Sequence, residues 1–289
     1  MRRFKLLTML LCTLSLACSK QSSESVDSYD DADSQGQVEL ACSIAGSAEV
    51  VTRATDYGDL VVEDGKIYLP SSILPSADDF KVEITGSYIV PDEVVGGQQE
   101  GGDVESVSIS YDKLSDYTSE LPYLYAGDYT VTLSYGDVTD EGYENPCYYT
   151  TYDFVVSARK VSQESISVPI CNSIIRGITT TESFDNYYVS SDLTITTTKG
   201  TELNIEANAM TLFFVQPSTT LTLSGTAVKT NGTTVSFSGV IGKTTAQECY
   251  TIELDAEDVG GGGISVSFDS SISEFEVVET SDELNPDSN

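Results

Sequence analysis

Apolar and polar residues alternate with a period of two along most of the chain. QVELACSI places Val38, Leu40, Cys42 and Ile44 on one side, and DFKVEITG places Phe80, Val82 and Ile84 opposite Lys81 and Glu83. ESVSISYD gives Val107, Ile109 and Tyr111; GDYTVTLSYGD gives Tyr129, Val131, Leu133 and Tyr135 against threonine and serine. Similar runs follow at 151–157, 164–170, 192–198, 210–215, 220–228, 233–240, 249–254 and 263–268. Side chains of a strand alternate between its two faces, so each run predicts a half-buried strand. Turn residues separate the runs: Gly-Gly at 96–97 and 101–102, Asn231-Gly232, and glycines 260–263. Asn-Gly between alternating runs signals a tight hairpin. No segment carries a sustained helical period.

Short strands at this spacing predict an all-β protein of two tandem antiparallel β-sandwich domains with Greek-key connections. The expected division falls near Cys171-Asn172, giving domains over 37–172 and 173–280, with an acidic tail over 281–289. Residues 38–51 read as one alternating strand ending at Arg53-Ala54.

The first 17 residues break the pattern. Arg2, Arg3 and Lys5 precede a short apolar run that ends at Ala17, the layout of a secretory signal, and the run is too short to span a bilayer. Ser15-Leu16-Ala17-Cys18 is similar to the lipobox of bacterial lipoproteins, with Ser15 in place of the usual leucine. That similarity makes Cys18 the expected lipid-bearing first residue of the mature chain; Cys12 is a poorer candidate because Leu11 precedes it. Multiple acyl chains suffice for stable anchoring where one does not. Residues 18–36 are polar and acidic and read as a solvated tether. The implied location is an outer membrane, facing the cell surface.

Charge narrows the partners. The chain has 14 basic and 46 acidic residues, a formal net charge of −32, and losing the three leader cations takes it to −35. Such a surface repels phosphate backbones, which excludes nucleic acid as an expected partner. Histidine is absent, which removes Ser-His triads, Cys-His dyads and histidine-ligated zinc. No cofactor is implied.

Past Cys18 stand Cys42, Cys147, Cys171 and Cys249, none in a CxxC spacing; four cysteines allow three full pairings. If 147–157 and 161–171 form a hairpin turning at Ala158-Arg159-Lys160, Cys147 lies opposite Cys171 and the two can bridge. Free buried thiols are the alternative.

The stretch LPYLYAGDYTVTLSYGDVTDEGYENPCYYTTYDFVVSARKVSQESISVPICN, with VVTRATDYG, DDFKVEITG and GGGISVSFDSSI, resembles surface lipoproteins of gut Bacteroidetes grouped as DUF4493. These look related in plan to fimbrillins, pilus subunits of two transthyretin-like sandwiches. The EVVGGQQEGGDVE insert and the long acidic tether depart from that pattern. The resemblance implies a non-catalytic, adhesive or pilus-associated protein whose partners are other pilus subunits or a host surface ligand. It also makes Arg53-Ala54 a candidate processing site. Cleavage there would remove the first strand and open a groove for a strand of the next subunit; a loop arginine with no role is the alternative.

Other motifs weigh less. GVIGKTT at 239–245 lacks the first glycine of a phosphate loop, since position 237 is Phe, and reads as a turn. Asp137, Asp140, Glu141 and Glu144 offer oxygen ligands for calcium, although a chain this acidic collects such clusters as solvated loops. Tyr143, Tyr148, Tyr149 and Tyr152, with Tyr123 and Tyr125, read first as half-buried strand tyrosines packing a sandwich edge; exposed, they would stack on sugar rings, as the second reading of a glycan-capturing lipoprotein requires. The lack of tryptophan counts against that reading.

Overall fold

The computed structural model describes residues 34–51, 60–89, 104–209, 211–256, 263–269 and 271–279. The leader, Cys18, the tether up to residue 33, Arg53, Ala54, the 93–105 insert up to residue 103, and the tail from 280 lie outside the described residues; Gln35 and Gly36, expected in the tether, are already strand. Strands of the first half are β1 (Gln35–Ala45), β2 (Ser47–Val50), β3 (Val61–Glu63), β4 (Lys66–Tyr68), β5 (Lys81–Ile89) and β6 (Val104–Tyr111). They continue with β7 (Leu124–Tyr125), β8 (Gly127–Tyr135), β9 (Gly142–Tyr143), β10 (Tyr148–Val156) and β11 (Val161–Pro169). The second half holds β12 (Ser173–Thr180), β13 (Tyr188–Thr197), β14 (Glu202–Ile205), β15 (Phe213–Val215) and β16 (Thr220–Lys229). The last five are β17 (Thr234–Lys243), β18 (Glu248–Ala256), β19 (Ile264–Ser267), β20 (Ile272–Phe275) and β21 (Val278–Glu279).

The all-β expectation holds, with two additions. Two short helices interrupt the strands, α1 (Leu114–Glu120) and α2 (Glu182–Tyr187). Each is two turns or less, too short to leave a periodic signature. The ladders are also not all antiparallel. β1 runs parallel to β11 over nine residue pairs, from Gln37–Val161 to Ala45–Pro169, and β12 runs parallel to β18. Parallel partners need a long crossover, and here more than a hundred residues separate β1 from β11.

In the first sandwich, sheet β11-β1-β7 faces sheet β10-β8-β5-β6. Between them lie Val38, Leu40, Phe80, Val82, Ile84, Tyr129, Val131, Leu133, Ile166 and Val168. These are the inward positions of the alternating runs. In the second, sheet β14-β13-β16-β17-β21 covers Leu193, Ile195, Leu221, Leu223, Val235 and Phe237. Its opposite wall is a nine-stranded sheet that also receives β2, β3, β4 and β9 from the first half.

That wall serves both cores. Ile174, Phe214 and Cys249 belong to the first core, whereas Ile175, Val215 and Tyr250 belong to the second. Successive residues of β12, β15 and β18 therefore point into opposite sandwiches, which the pleat of a strand requires. β12 is buried from Ser173 to Ile178, including Arg176, so no polar face marks it. Strands covered on both faces lose their alternation.

The hairpin expected at 147–157 and 161–171 does not form. The chain turns at 157–160, with Arg159 at φ +60°, but β10 joins β8 and β11 joins β1. The two strands sit in opposite sheets, and their main chains pair only at the far end, where Tyr148 bridges Ile170. There Cys147 and Cys171 are joined by a disulfide, with Cα atoms 5.4 Å apart. The Cys171 N–H donates to the Cys147 carbonyl at 2.7 Å. Cys42 and Cys249 are free thiols. The Asn231-Gly232 hairpin forms as read: β16 and β17 pair antiparallel, Gly232 takes φ +87°, and the Asn231 side chain accepts from the Thr233 N–H.

Candidate strand-exchange site

The segment preceding Arg53 forms two strands rather than one. The break is at Gly46, where a Cβ would lie 2.5 Å from a Leu74 methyl. There the chain leaves the three-stranded sheet as β1 and enters the nine-stranded wall as β2. β2 then lies between β4 and β18, antiparallel to the first and parallel to the second. β3 pairs with the other edge of β4, and Arg53 and Ala54 lie between β2 and β3 in sequence, outside the described residues.

β1 is held along its length. Gln37 N–H donates to the Lys160 carbonyl, Arg159 N–H to the Gln35 carbonyl, and Ala126 N–H to the Ser34 carbonyl. Beyond the short pairing with β7, the edge of β1 away from β11 is met by α1. The Tyr117 hydroxyl donates to the Val38 carbonyl, and Gln37 Nε2 donates to the Leu121 carbonyl at 2.7 Å. Leu114 and Tyr117 are the buried residues of α1, and burial pushes the Tyr117 phenol up to about 12. A cleft of about 330 Å³ beside this edge is lined by Glu39, Leu40, Thr118, Leu121 and Gln163.

β1 fills space that nothing else covers. Val38 and Leu40 are buried, Cys42 and Ile44 pack partly against the same core, and Ala48 of β2 is buried with them. Removing Val38 and Leu40 alone would cost about 3–6 kcal/mol of apolar burial, at about 1.5–3 kcal/mol for each side chain. That is comparable with the 5–15 kcal/mol margin of a typical domain. A first sandwich without β1 thus needs a replacement strand. At Gly36 the fit is tight, since a Cβ would come 2.3 Å from the Ser157 carbonyl oxygen.

The acidic loop is not a free solvated loop. Asp137 accepts from Thr139 N–H and hydroxyl, which lowers its carboxyl below the usual range. Glu141 reaches the second sandwich, accepting from the Thr197 hydroxyl at 2.7 Å and the Gln216 N–H at 3.0 Å. Lys199 Nζ donates to the Thr139 carbonyl, and β9 adds to β15. These contacts make residues 137–143 a clamp between the two sandwiches. Among the described residues no group of three or more acids or cysteines is placed to hold a metal ion.

The tyrosines do not gather on one face. Tyr148 is buried in the first core, Tyr149 is exposed on the outer sheet face, and Tyr143 meets Phe213 edge-on in the clamp. Tyr152 crosses the open edge of the sandwich to donate to Glu164 at 3.0 Å. GVIGKTT is the end of β17 and its following turn. In the sequence Glu141 reads only as a calcium ligand or a solvated loop acid, not as a link to Thr197 and Gln216, and Tyr117 carries no motif. The Leu114, Tyr117, Leu121 spacing, one face over two helical turns, is the only sign of Tyr117, and no local pattern marks the crossing made by Glu141.

The family described as a domain of unknown function, DUF4493, matches residues 34–282. None of the curated proteins matches. Among solved structures, a Bacteroides fragilis NCTC 9343 protein described as a candidate cell adhesion protein is 10% identical, with 81% of this chain and 97% of that one covered and a TM-score of 0.35. A Bacteroides thetaiotaomicron VPI-5482 structure of candidate polysaccharide binding proteins is 10% identical, with coverage of 86% and 99% and a TM-score of 0.35. The C-terminal fragment of a pilus adhesin from Lactobacillus rhamnosus GG is 11% identical, with coverage of 83% and 87% and a TM-score of 0.24. Likenesses this distant carry no functional weight.

Proposed function

The chain belongs to the DUF4493 family, and on that footing we propose that it is a non-catalytic, lipid-anchored surface protein of adhesion or pilus assembly whose first strand is exchangeable. The observation that carries this reading is the placement of β1. It lies wholly ahead of Arg53, closes the first core, and is held by a parallel ladder to β11 rather than by a hairpin to its chain neighbour. A strand that is not the partner of an adjacent segment can leave without unzipping a hairpin. The vacated edge of β11, with Ile166 and Val168 beneath it, would accept an alternating strand from another copy by main-chain hydrogen bonds. Ser15-Leu16-Ala17-Cys18 supplies the anchor, and the absence of histidine supports the non-catalytic assignment. Among the described residues no helix is long and apolar enough to cross a membrane.

The test is limited trypsin digestion of the native protein on cells, followed by N-terminal sequencing and non-dissociating electrophoresis. The reading expects Ala54 as a new terminus and a ladder of subunits that persists in mild detergent. Cleavage that leaves residues 35–50 attached to a monomer, or no cleavage at 53, removes strand exchange from the account.

A further inference from the structure

The first sandwich has two ends of opposite character. At one end lie the disulfide, the acidic clamp and the second sandwich. At the other, the chain enters: the Ser34 carbonyl accepts from Ala126 N–H, and Gln35 pairs with Tyr125. The strand registers bring the same end together from every strand of the body. Tyr88 opposes Gly127, Gly127 opposes Val156, Ile89 opposes Val104, and Gln37 opposes Val161.

This entry pole is unusually apolar. Of the sixteen large apolar residues exposed among those described, five belong to it: Ile89, Val104, Tyr123, Val155 and Val161, each 60–71% exposed. Tyr88 and Tyr125 stack there with ring centroids 4.4 Å apart. The 157–160 turn adds Arg159 and Lys160, the only adjacent pair among the nine cations of the described residues. Among the described residues, the acids Asp128 and Glu105 sit nearby, and the second accepts from the Tyr88 hydroxyl at 2.8 Å. The opposite loop carries Asp137, Asp140, Glu141 and Glu144. In so acidic a protein, tyrosine, aliphatic residues and paired cations at one pole form the pattern of a membrane–water interface.

We propose that this pole is a foot that rests in the headgroup region of the membrane, with the second sandwich pointing outward. The proposal rests on the Cys18 anchor. Fifteen residues, 19–33, lie between Cys18 and Ser34, so the anchor holds this pole within about 55 Å of the bilayer even at full extension. The tether joins the body at this pole, so it is the end that the anchor keeps within the shortest reach of the membrane. The rings and aliphatic groups enter the interface while Arg159 and Lys160 meet anionic headgroups.

The chain has no tryptophan, so a single introduced indole reports without background. The mature, acylated Tyr123→Trp chain is reconstituted into vesicles of phosphatidylethanolamine and phosphatidylglycerol, with and without acyl-brominated phosphatidylcholine. Tyr149→Trp, on the same sandwich but opposite Ser134 near the far end, is the control. The foot predicts a blue shift of several nanometres and at least twofold bromine quenching for Tyr123→Trp, with neither for Tyr149→Trp. Chains that float with the vesicles while both reporters stay unquenched overturn the foot and leave the anchor standing. A blue shift without bromine quenching that persists in the absence of vesicles gives the pole to a second copy of the chain and also overturns it. A chain that carries no acyl group by mass and fails to float overturns the anchor, and the foot with it.

Discussion

The phenol of Tyr117 donates its proton to the main-chain carbonyl of Val38, tying α1 to β1 across 79 residues of sequence. Both groups are buried, and the bond falls on the edge of β1 that no long strand covers. Tyr117→Phe leaves that carbonyl unsatisfied, at a cost of about 1–3 kcal/mol. The expected outcome is a lower urea midpoint with unchanged slope and faster amide exchange along residues 37–42. Tyr123→Phe, at an exposed position, should shift stability by less than about 0.5 kcal/mol. Equal behaviour of the two variants would remove the latch.

Glu141 joins the sandwiches through two hydrogen bonds, from Thr197 and from Gln216. Glu141→Ala strands a part-buried amide and frees the loop, at a cost of about 1–3 kcal/mol. Exchange of the Gln216 amide, followed by mass spectrometry, should accelerate by at least tenfold while amides of β8 and β5 stay protected. An unchanged Gln216 rate would show the clamp to be idle.

The Cys147–Cys171 bridge spans 24 residues and pins β10 and β11 at the end where their sheets would otherwise part. Closing a loop of that length stabilises the fold by about 3 kcal/mol. The Cys147→Ser, Cys171→Ser double variant should therefore melt at a clearly lower temperature by circular dichroism. Reductant should lower the wild-type melting temperature and leave the variant unmoved; a reductant effect on the variant would contradict this.

Four buried phenols set an alkaline limit. Burial pushes Tyr117, Tyr129, Tyr148 and Tyr250 up to about 12, and for Tyr250 a hydrogen bond to Glu248 adds to it. In the unfolded chain these groups lose their protons near 10. Above that pH the unfolded state binds fewer protons than the native state, so stability is full below pH 10 and falls as pH rises through 12. Absorbance at 295 nm should show a late, cooperative step in that window, coincident with loss of far-ultraviolet signal. Smooth titration of every tyrosine near 10 with the fold intact would refute it.

What was legible locally and what was not can be separated residue by residue. Val38, Leu40, Val82, Ile84, Val131 and Leu133 take every second position of their runs and all face the core in the structure, because a strand's side-chain period is a property of its own backbone. Asn231-Gly232 turned where it was read to turn for the same reason: its φ requirement is local. The 158–160 reversal was legible too, but its consequence was not. Nothing in residues 147–171 states whether two adjacent strands will pair with each other or with β8 and β1.

The sequence by itself therefore determined the positions of most long strands, the inward set of each alternating run, the Asn231-Gly232 turn and the exclusion of histidine chemistry. All of these follow from residue type and the two-residue pleat. Only the tertiary structure decided that β1 lies parallel to β11 and that Ile174 and Ile175 serve different cores. It also decided that Glu141 crosses to Thr197 and that five exposed apolar side chains meet at one pole. Those outcomes depend on which strands share a sheet, and pairing between distant segments is set by the summed burial of both cores, a quantity no single window of sequence contains.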